Sequence, residues 1–86
     1  MNLKPVLHSS QLAATDYDAA TQTLYIQFHP GKTSSEGPIY SYANVPQRLY
    51  DELLAAESKG KFFGQFIKNK PEYPHTLVRA ATKKES

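Results

Sequence analysis

Ile39-Tyr40-Ser41-Tyr42-Ala43, then Asn44-Val45-Pro46-Gln47-Arg48-Leu49-Tyr50-Asp51-Glu52-Leu53-Leu54, then Ser58-Lys59-Gly60-Lys61-Phe62-Phe63-Gly64-Gln65-Phe66-Ile67-Lys68: this run decides the fold. Its first five residues read as a strand, with Tyr40 and Tyr42 on one side. Pro46 suits the first position of a helix, where a missing amide hydrogen costs nothing, and Asn44 or Val45 is expected to cap it. Val45, Leu49, Tyr50, Leu53 and Leu54 form a stripe for a helix over 46–57, broad enough to lie across a sheet. Ser58 is a good cap for a second helix over 59–68. That helix gathers Phe62, Phe63, Phe66 and Ile67 on one face and Lys61, Gln65 and Lys68 on the other.

Working outward, Thr23 to His29 is the clearest strand, because Leu24, Ile26 and Phe28 alternate with Tyr25, Gln27 and His29. Leu12 to Tyr17 is expected to precede it as a strand, joined by a turn at Asp18-Ala19-Ala20-Thr21-Gln22. Pro30 to Pro38 is polar and bracketed by breakers, so an exposed, mobile hairpin loop is expected there. Strands over 12–17, 23–29 and 39–43 with helices over 46–57 and 59–68 give an α+β domain: a three-stranded antiparallel β-meander with two short helices packed on one face. Residues 1–8 read as an N-terminal arm, 9–75 as the domain, and 76–86 as a basic C-terminal tail, partly disordered and frayed from Thr82. Pro71 and Pro74 forbid further helix, while Tyr73 and Leu77-Val78 are free to dock or to add an edge strand.

At 86 residues the chain is expected to be one domain, with stability of about 4 to 12 kcal/mol. It has no cysteine, which excludes disulfides and thiolate chemistry and fits a cytoplasmic protein. No apolar run approaches a membrane span or a signal peptide, so no membrane partner is expected. Charge is uneven. Residues 1–58 carry three cations against six carboxylates, a formal −3, and residues 59–86 carry seven against two, a formal +5. A basic C-terminal third on an acidic body is the pattern of a chain that meets polyanions, though a solvated, charged tail gives the same count.

Two devices stand out. Tyr40 and Tyr42 share a face that Tyr25 joins if the strand register allows. Exposed, such rings stack nucleobases at about 1 to 3 kcal/mol per base; the preferred expectation is that they face the helices as core aromatics with hydroxyls at the rim. At the second helix start, unpaired amides at Ser58-Lys59-Gly60-Lys61 have the chemistry of a phosphate seat, with Gly60 letting an oxyanion near the backbone; a capped helix with solvated lysines is the more common explanation of the pattern. Lys61 and Lys68 lie about 10 Å apart along one ridge, with Lys70 beyond. The spacing is not that of a nucleotide-hydrolysing loop. His8, His29 and His75 lack metal-ligand spacing, Asp16 and Asp18 read as turn residues, and no nucleophile motif is present, so no catalytic residue, metal or cofactor is assigned.

Val6, Ser9-Ser10, Tyr17-Asp18, Ala20-Thr21-Gln22-Thr23-Leu24, Phe28, Tyr40-Ser41-Tyr42, Val45-Pro46, Tyr50, Leu53-Leu54, Ser58-Lys59-Gly60-Lys61-Phe62-Phe63, Ile67 and Tyr73 together resemble the KTSC domain. That family is named for the C-terminus of some lysyl-tRNA synthetases and also occurs as small stand-alone bacterial and phage proteins. The resemblance spans Val6 to Tyr73, and Tyr40-Ser41-Tyr42 matches its central Tyr-x-Tyr motif. The family has no established activity, and the resemblance suggests RNA binding by association with a tRNA-related enzyme. The expected function is therefore non-enzymatic binding of RNA or single-stranded nucleic acid through Ser58, Lys59, Gly60, Lys61, Lys68 and Lys70 with Tyr25, Tyr40 and Tyr42. The alternative is a protein interaction adaptor.

Overall fold

A computed structural model describes residues 1–7, 9–32 and 34–83. Its elements are β1 (Lys4–Pro5), β2 (Leu12–Asp18), β3 (Thr23–Phe28), β4 (Ser34–Glu36), β5 (Ile39–Tyr42), α1 (Gln47–Ala55), α2 (Lys59–Phe66), β6 (His75–Arg79) and β7 (Thr82–Lys83). The alternation along β3 becomes two distinct sheet faces. Across β3 and β5, Leu24 lies opposite Tyr42 and Ile26 opposite Tyr40, while Tyr25 meets Ser41 and Gln27 meets Ile39. Paired residues share a face. Leu24, Ile26 and Tyr42 therefore join Leu12 of β2 in a core completed by Val45, Tyr50 and Leu53 around α1 and by Phe63 and Ile67 from α2. Fully burying such a side chain is worth about 1.5 to 3 kcal/mol, so these residues decide the stability of so small a domain.

The expected three-stranded meander is corrected to a five-stranded antiparallel sheet in the order β1-β2-β3-β5-β6, with two helices. The three interior strands are those the alternation predicts. The two edges come from segments without that signal. Lys4 and Pro5 pair with Thr15 and Ala14, so the N-terminal arm supplies one edge. His75 to Arg79 pairs with β5 and supplies the other, taking up the edge-strand option left open for Leu77-Val78. All five residues of β6 are exposed, which is why no period marks it.

Within Pro30 to Pro38, the segment expected to be an exposed loop, Ser34–Glu36 is a short strand. Ser34–Glu36 pairs with Thr82–Lys83 in a separate two-stranded ladder, and the Glu36 amide donates to Thr82 Oγ1 at 2.9 Å. Arg79 and Glu36 form an ion pair at 3.0 Å alongside it. Gly37 is buried so closely against β3 that a Cβ there would lie 1.7 Å from the Phe28 carbonyl oxygen. Only glycine permits that approach. Residues 84–86, the rest of the segment expected to fray, lie outside the described residues, as does His8.

Both helices are shorter than the periodicity predicts. Pro46 itself occupies the N-cap of α1, and Asn44 takes a left-handed φ of 62°, which asparagine tolerates. The Val45 amide donates to the Gln22 carbonyl at 2.9 Å, tying this turn to the β2–β3 turn. Leu54 and Phe66 fall off the buried faces, at 43% and 48% exposure. Two tyrosines fix α1 to β2. Tyr17 and Tyr50 stack at 5.0 Å with their planes 13° apart, the Tyr17 hydroxyl donates to the Val45 carbonyl at 2.6 Å, and the Tyr50 and Thr15 hydroxyls share a buried hydrogen bond of 3.3 Å. Burial, with the Asp51 and Asp18 carboxylates nearby, raises the Tyr17 phenol above its ordinary pKa.

Candidate nucleic-acid interface

The nine residues singled out in the sequence separate into three places. At the start of α2, Ser58, Lys59, Gly60 and Lys61 line a polar depression of about 190 Å³ together with Ser9, Ser10, Gln11 and Glu57. Ser58 occupies the N-cap but its side chain makes no capping hydrogen bond. The Lys59 ammonium donates to the Ala56 carbonyl at 3.2 Å, so it satisfies an acceptor at the end of α1. Gly60 is buried, and a Cβ there would stand 3.2 Å from the Gln11 carboxamide. The glycine thus lets α2 pack against the segment leading into β2, and Gln11 fills the space an oxyanion was expected to use. Glu57 adds a like charge to any bound anion. Lys61 is exposed.

The second place is the other end of α2. The expected ridge through Lys68 is interrupted because the helix stops at Phe66. The Ile67 and Lys68 amides both donate to the Phe63 carbonyl, at 3.0 and 2.9 Å, and Asn69 follows with φ 60°. This is the hydrogen-bonded reversal with which helices commonly end. It brings Lys68 and Asn69 to the rim of a recess of about 330 Å³ lined by Phe28, Tyr40, Tyr42 and His75. Tyr42 is 4% exposed and Tyr40 half-buried, so they face the helix side as the preferred expectation holds. Phe63 meets both Tyr42 and Phe28 edge-on, at 5.2 and 5.7 Å between ring centroids, and forms the base of the cluster. His75 packs against Tyr40 at 5.7 Å and Tyr42 at 5.9 Å. Burial, with Tyr40 alongside, pushes the Tyr42 phenol up to about 12, which keeps it a neutral donor.

Tyr25 is the third place. Its partners across the sheet are Asp16 and Ser41, so it lies on the face opposite Tyr40 and Tyr42 and does not join them. It shares a depression with Asp16 and Asp18. Burial pushes the Asp16 carboxyl up, but the Asn2 and Tyr17 amides and the Lys4 ammonium together outweigh it and hold the group below its ordinary value. An ionised carboxylate beside Tyr25 disfavours a polyanion there. Lys70 is exposed beyond the recess.

Among the described residues the ion pairs are Lys4–Asp16 and Arg79–Glu36, and neither involves Lys59, Lys61, Lys68 or Lys70. No group of three or more His, Asp or Glu side chains among them is placed to hold a metal ion, and no helix among them is long and apolar enough to cross a membrane. Phe28, Asn69 and His75 belong to the recess but were not singled out by sequence. Phe28 was legible as an inward-facing residue of β3, whereas His75 reaches Tyr42 only through the β5–β6 pairing.

The geometry can be set beside known proteins. A protein from Tsukamurella paurometabola is 41% identical over 66 residues, covering 77% of this chain and 88% of its own. A lysine–tRNA ligase from Nostoc is 39% identical over 71 residues, covering 83% of this chain and 11% of its own, so the similarity spans about a tenth of that enzyme. The crystal structure of a KTSC domain protein from Yersinia pestis superposes with a TM-score of 0.74 at 32% identity, covering 90% of this chain and 96% of that one. The KTSC domain model matches residues 8–73. The chain therefore belongs to the KTSC domain family.

Proposed function

We propose that this protein, a small non-catalytic domain like the rest of its family, binds RNA or single-stranded nucleic acid. The observation that carries this reading is the convergence of Tyr40, Tyr42 and Lys68 on one recess, which sets aromatic surface and a cation side by side. Single-stranded nucleic acids are held by that combination, because every base has a π-face and every linkage a charge. Lys70 follows Lys68 in an exposed position, while Lys59 and Lys61 add positive charge at the other end of α2. The similarity to part of a lysine–tRNA ligase supports an RNA context. The absence of cysteine agrees with a place in the cytoplasm.

Neutralising about three phosphates on a single strand gives a slope of log K against log salt near −2. Titration of labelled RNA and single-stranded DNA at low salt, repeated at rising salt, measures it. The Lys61→Glu, Lys68→Glu double variant flattens the slope; binding as tight as wild type refutes the reading.

A protein interaction adaptor is the second reading, favoured by the exposed edge strand β6, where Leu77 and Val78 are 50% and 44% exposed. An unpaired edge accepts an added strand, with main-chain hydrogen bonds supplying affinity. Such binding responds little to salt and survives nuclease in a pull-down, whereas nucleic-acid binding does neither.

A further inference from the structure

Tyr17 and Tyr50 differ from Tyr40 and Tyr42 in what meets their hydroxyls. The hydroxyls of Tyr17 and Tyr50 are both satisfied inside the protein, by the Val45 carbonyl and by Thr15. Those of Tyr40 and Tyr42 have no hydrogen-bond partner among the described residues, and neither do the His75 ring, the Lys68 ammonium or the Asn69 carboxamide. All five groups border the same recess. No buried side-chain polar atom among the described residues lacks a partner, so the Tyr40 and Tyr42 hydroxyls open onto the space of the recess, where water or a ligand meets them. Here aromatic faces and unpartnered polar atoms meet around one space, which is the composition of a small-ligand site.

The lining also restricts the ligand. Among the described residues it contains no carboxylate, and its one fixed charge is the Lys68 cation, so an anionic group is favoured. Phe28, Tyr40, Tyr42 and His75 present ring surface, which favours a flat partner. A volume of about 330 Å³ lies at the lower end of the range for small-molecule sites, roughly 300 to 1,000 Å³, and suits one unit rather than two. We propose that this recess seats a single nucleoside monophosphate unit, its base against Tyr40 and His75 and its phosphate at Lys68. The unit is either a free mononucleotide or one residue of a strand. The choice of ligand deepens the nucleic-acid reading above and rests on it, whereas the existence of the site rests on the recess alone.

The test is a titration of the full chain, labelled with nitrogen-15, at low salt with adenosine monophosphate, adenosine, inorganic phosphate and an oligoadenylate. Adenosine monophosphate is expected to shift the amides of Tyr40, Lys68, Asn69 and His75 saturably. Adenosine and phosphate bind at least about tenfold more weakly, since each offers only one of the two contacts. Lys68→Gln, at an exposed position, removes most of the preference for the monophosphate over adenosine, and Tyr42→Phe weakens both while keeping the ring. Shifts absent from the recess, or equal affinity for phosphate and adenosine monophosphate, overturn the proposal. Oligoadenylate binding with the recess silent overturns it too and leaves the nucleic-acid reading standing; monophosphate binding without oligoadenylate binding upholds the site and overturns that reading.

Discussion

The two ends of α2 carry similar charge and differ in what surrounds it. At the start, Lys59 and Lys61 stand beside Glu57, Gln11 occupies the approach to Gly60, and no aromatic ring among the described residues lines the depression. At the end, Lys68 borders a recess walled by Phe28, Tyr40, Tyr42 and His75. A helix start is a general anion site because of its unpaired amides and dipole, yet those features fall off within a turn and are screened by salt. At the end of the helix the backbone dipole has the opposite sign and disfavours an anion, so selection there falls to Lys68 and the ring-lined recess. The contrast shows that a lysine's neighbours, more than its position on a helix, decide what it recognises.

The most drastic way to break the contrast is Phe63→Ala, which removes the base of the recess and a fully buried core side chain together. It is expected to cost about 3 to 5 kcal/mol in urea unfolding. A loss below about 1 kcal/mol would mean that Phe63 does not join the two. Next comes alkaline pH. The Tyr42 phenol is raised from 10.0 to about 12 in the folded chain, so below pH 10 its contribution is complete in full. Between pH 10 and about 12 the unfolded chain releases a proton that the folded chain keeps, and stability falls by on the order of 2 kcal/mol. Denaturation curves of wild type and Tyr42→Phe across that window are expected to diverge.

Gly64 sits between the two ends, exposed in α2 with open space where a Cβ would be. Gly64→Ala is expected to stabilise the domain by about 0.5 to 1 kcal/mol through helix propensity, and a thermal melt reads it. Gly60→Ala sharpens the comparison, since it blocks backbone access at the helix start without touching the recess. Oligonucleotide affinity within about twofold of wild type is expected. The smallest effect belongs to the acidic face. Asp16 accepts a hydrogen bond from the Asn2 amide at 2.7 Å and pairs with Lys4 at 3.5 Å. Its lowered carboxyl contributes stability above the ordinary value of 3.8 that is lost as pH falls through the folded value. Lys4 is largely exposed, so Asp16→Asn is expected to cost less than about 1 kcal/mol at neutral pH, and less still as the carboxyl protonates at acid pH.

How much of this was legible follows from where burial leaves a pattern. β2, β3 and β5 alternate because one face meets the helices, and α1 and α2 place Tyr50, Leu53, Phe63 and Ile67 at helical spacing, so these elements were readable. β1, β4 and β7 were not, and β6 was open only as one of two options for Leu77-Val78. They are held by backbone pairing between segments as far apart as Ser34 and Lys83, and most of their described side chains are exposed, which leaves no period to detect. Leaving the pairing of β6 open hid the recess, since His75 reaches the tyrosines only through that pairing. The grouping of Tyr25 with Tyr40 and Tyr42 failed for a related reason. Register sets the face, and a shift of one residue reverses it.

The most direct measurement compares two single charge reversals, Lys68→Glu and Lys61→Glu, in the salt dependence of binding to a short single-stranded RNA. Lys68→Glu is expected to lower affinity about tenfold or more, because it loses a phosphate contact beside the stacked base and adds repulsion there. Lys61→Glu lowers the slope by about 0.7 and the affinity only a few-fold. Equal losses, or a greater loss at Lys61, would place recognition at the start of α2 and contradict the assignment to its end.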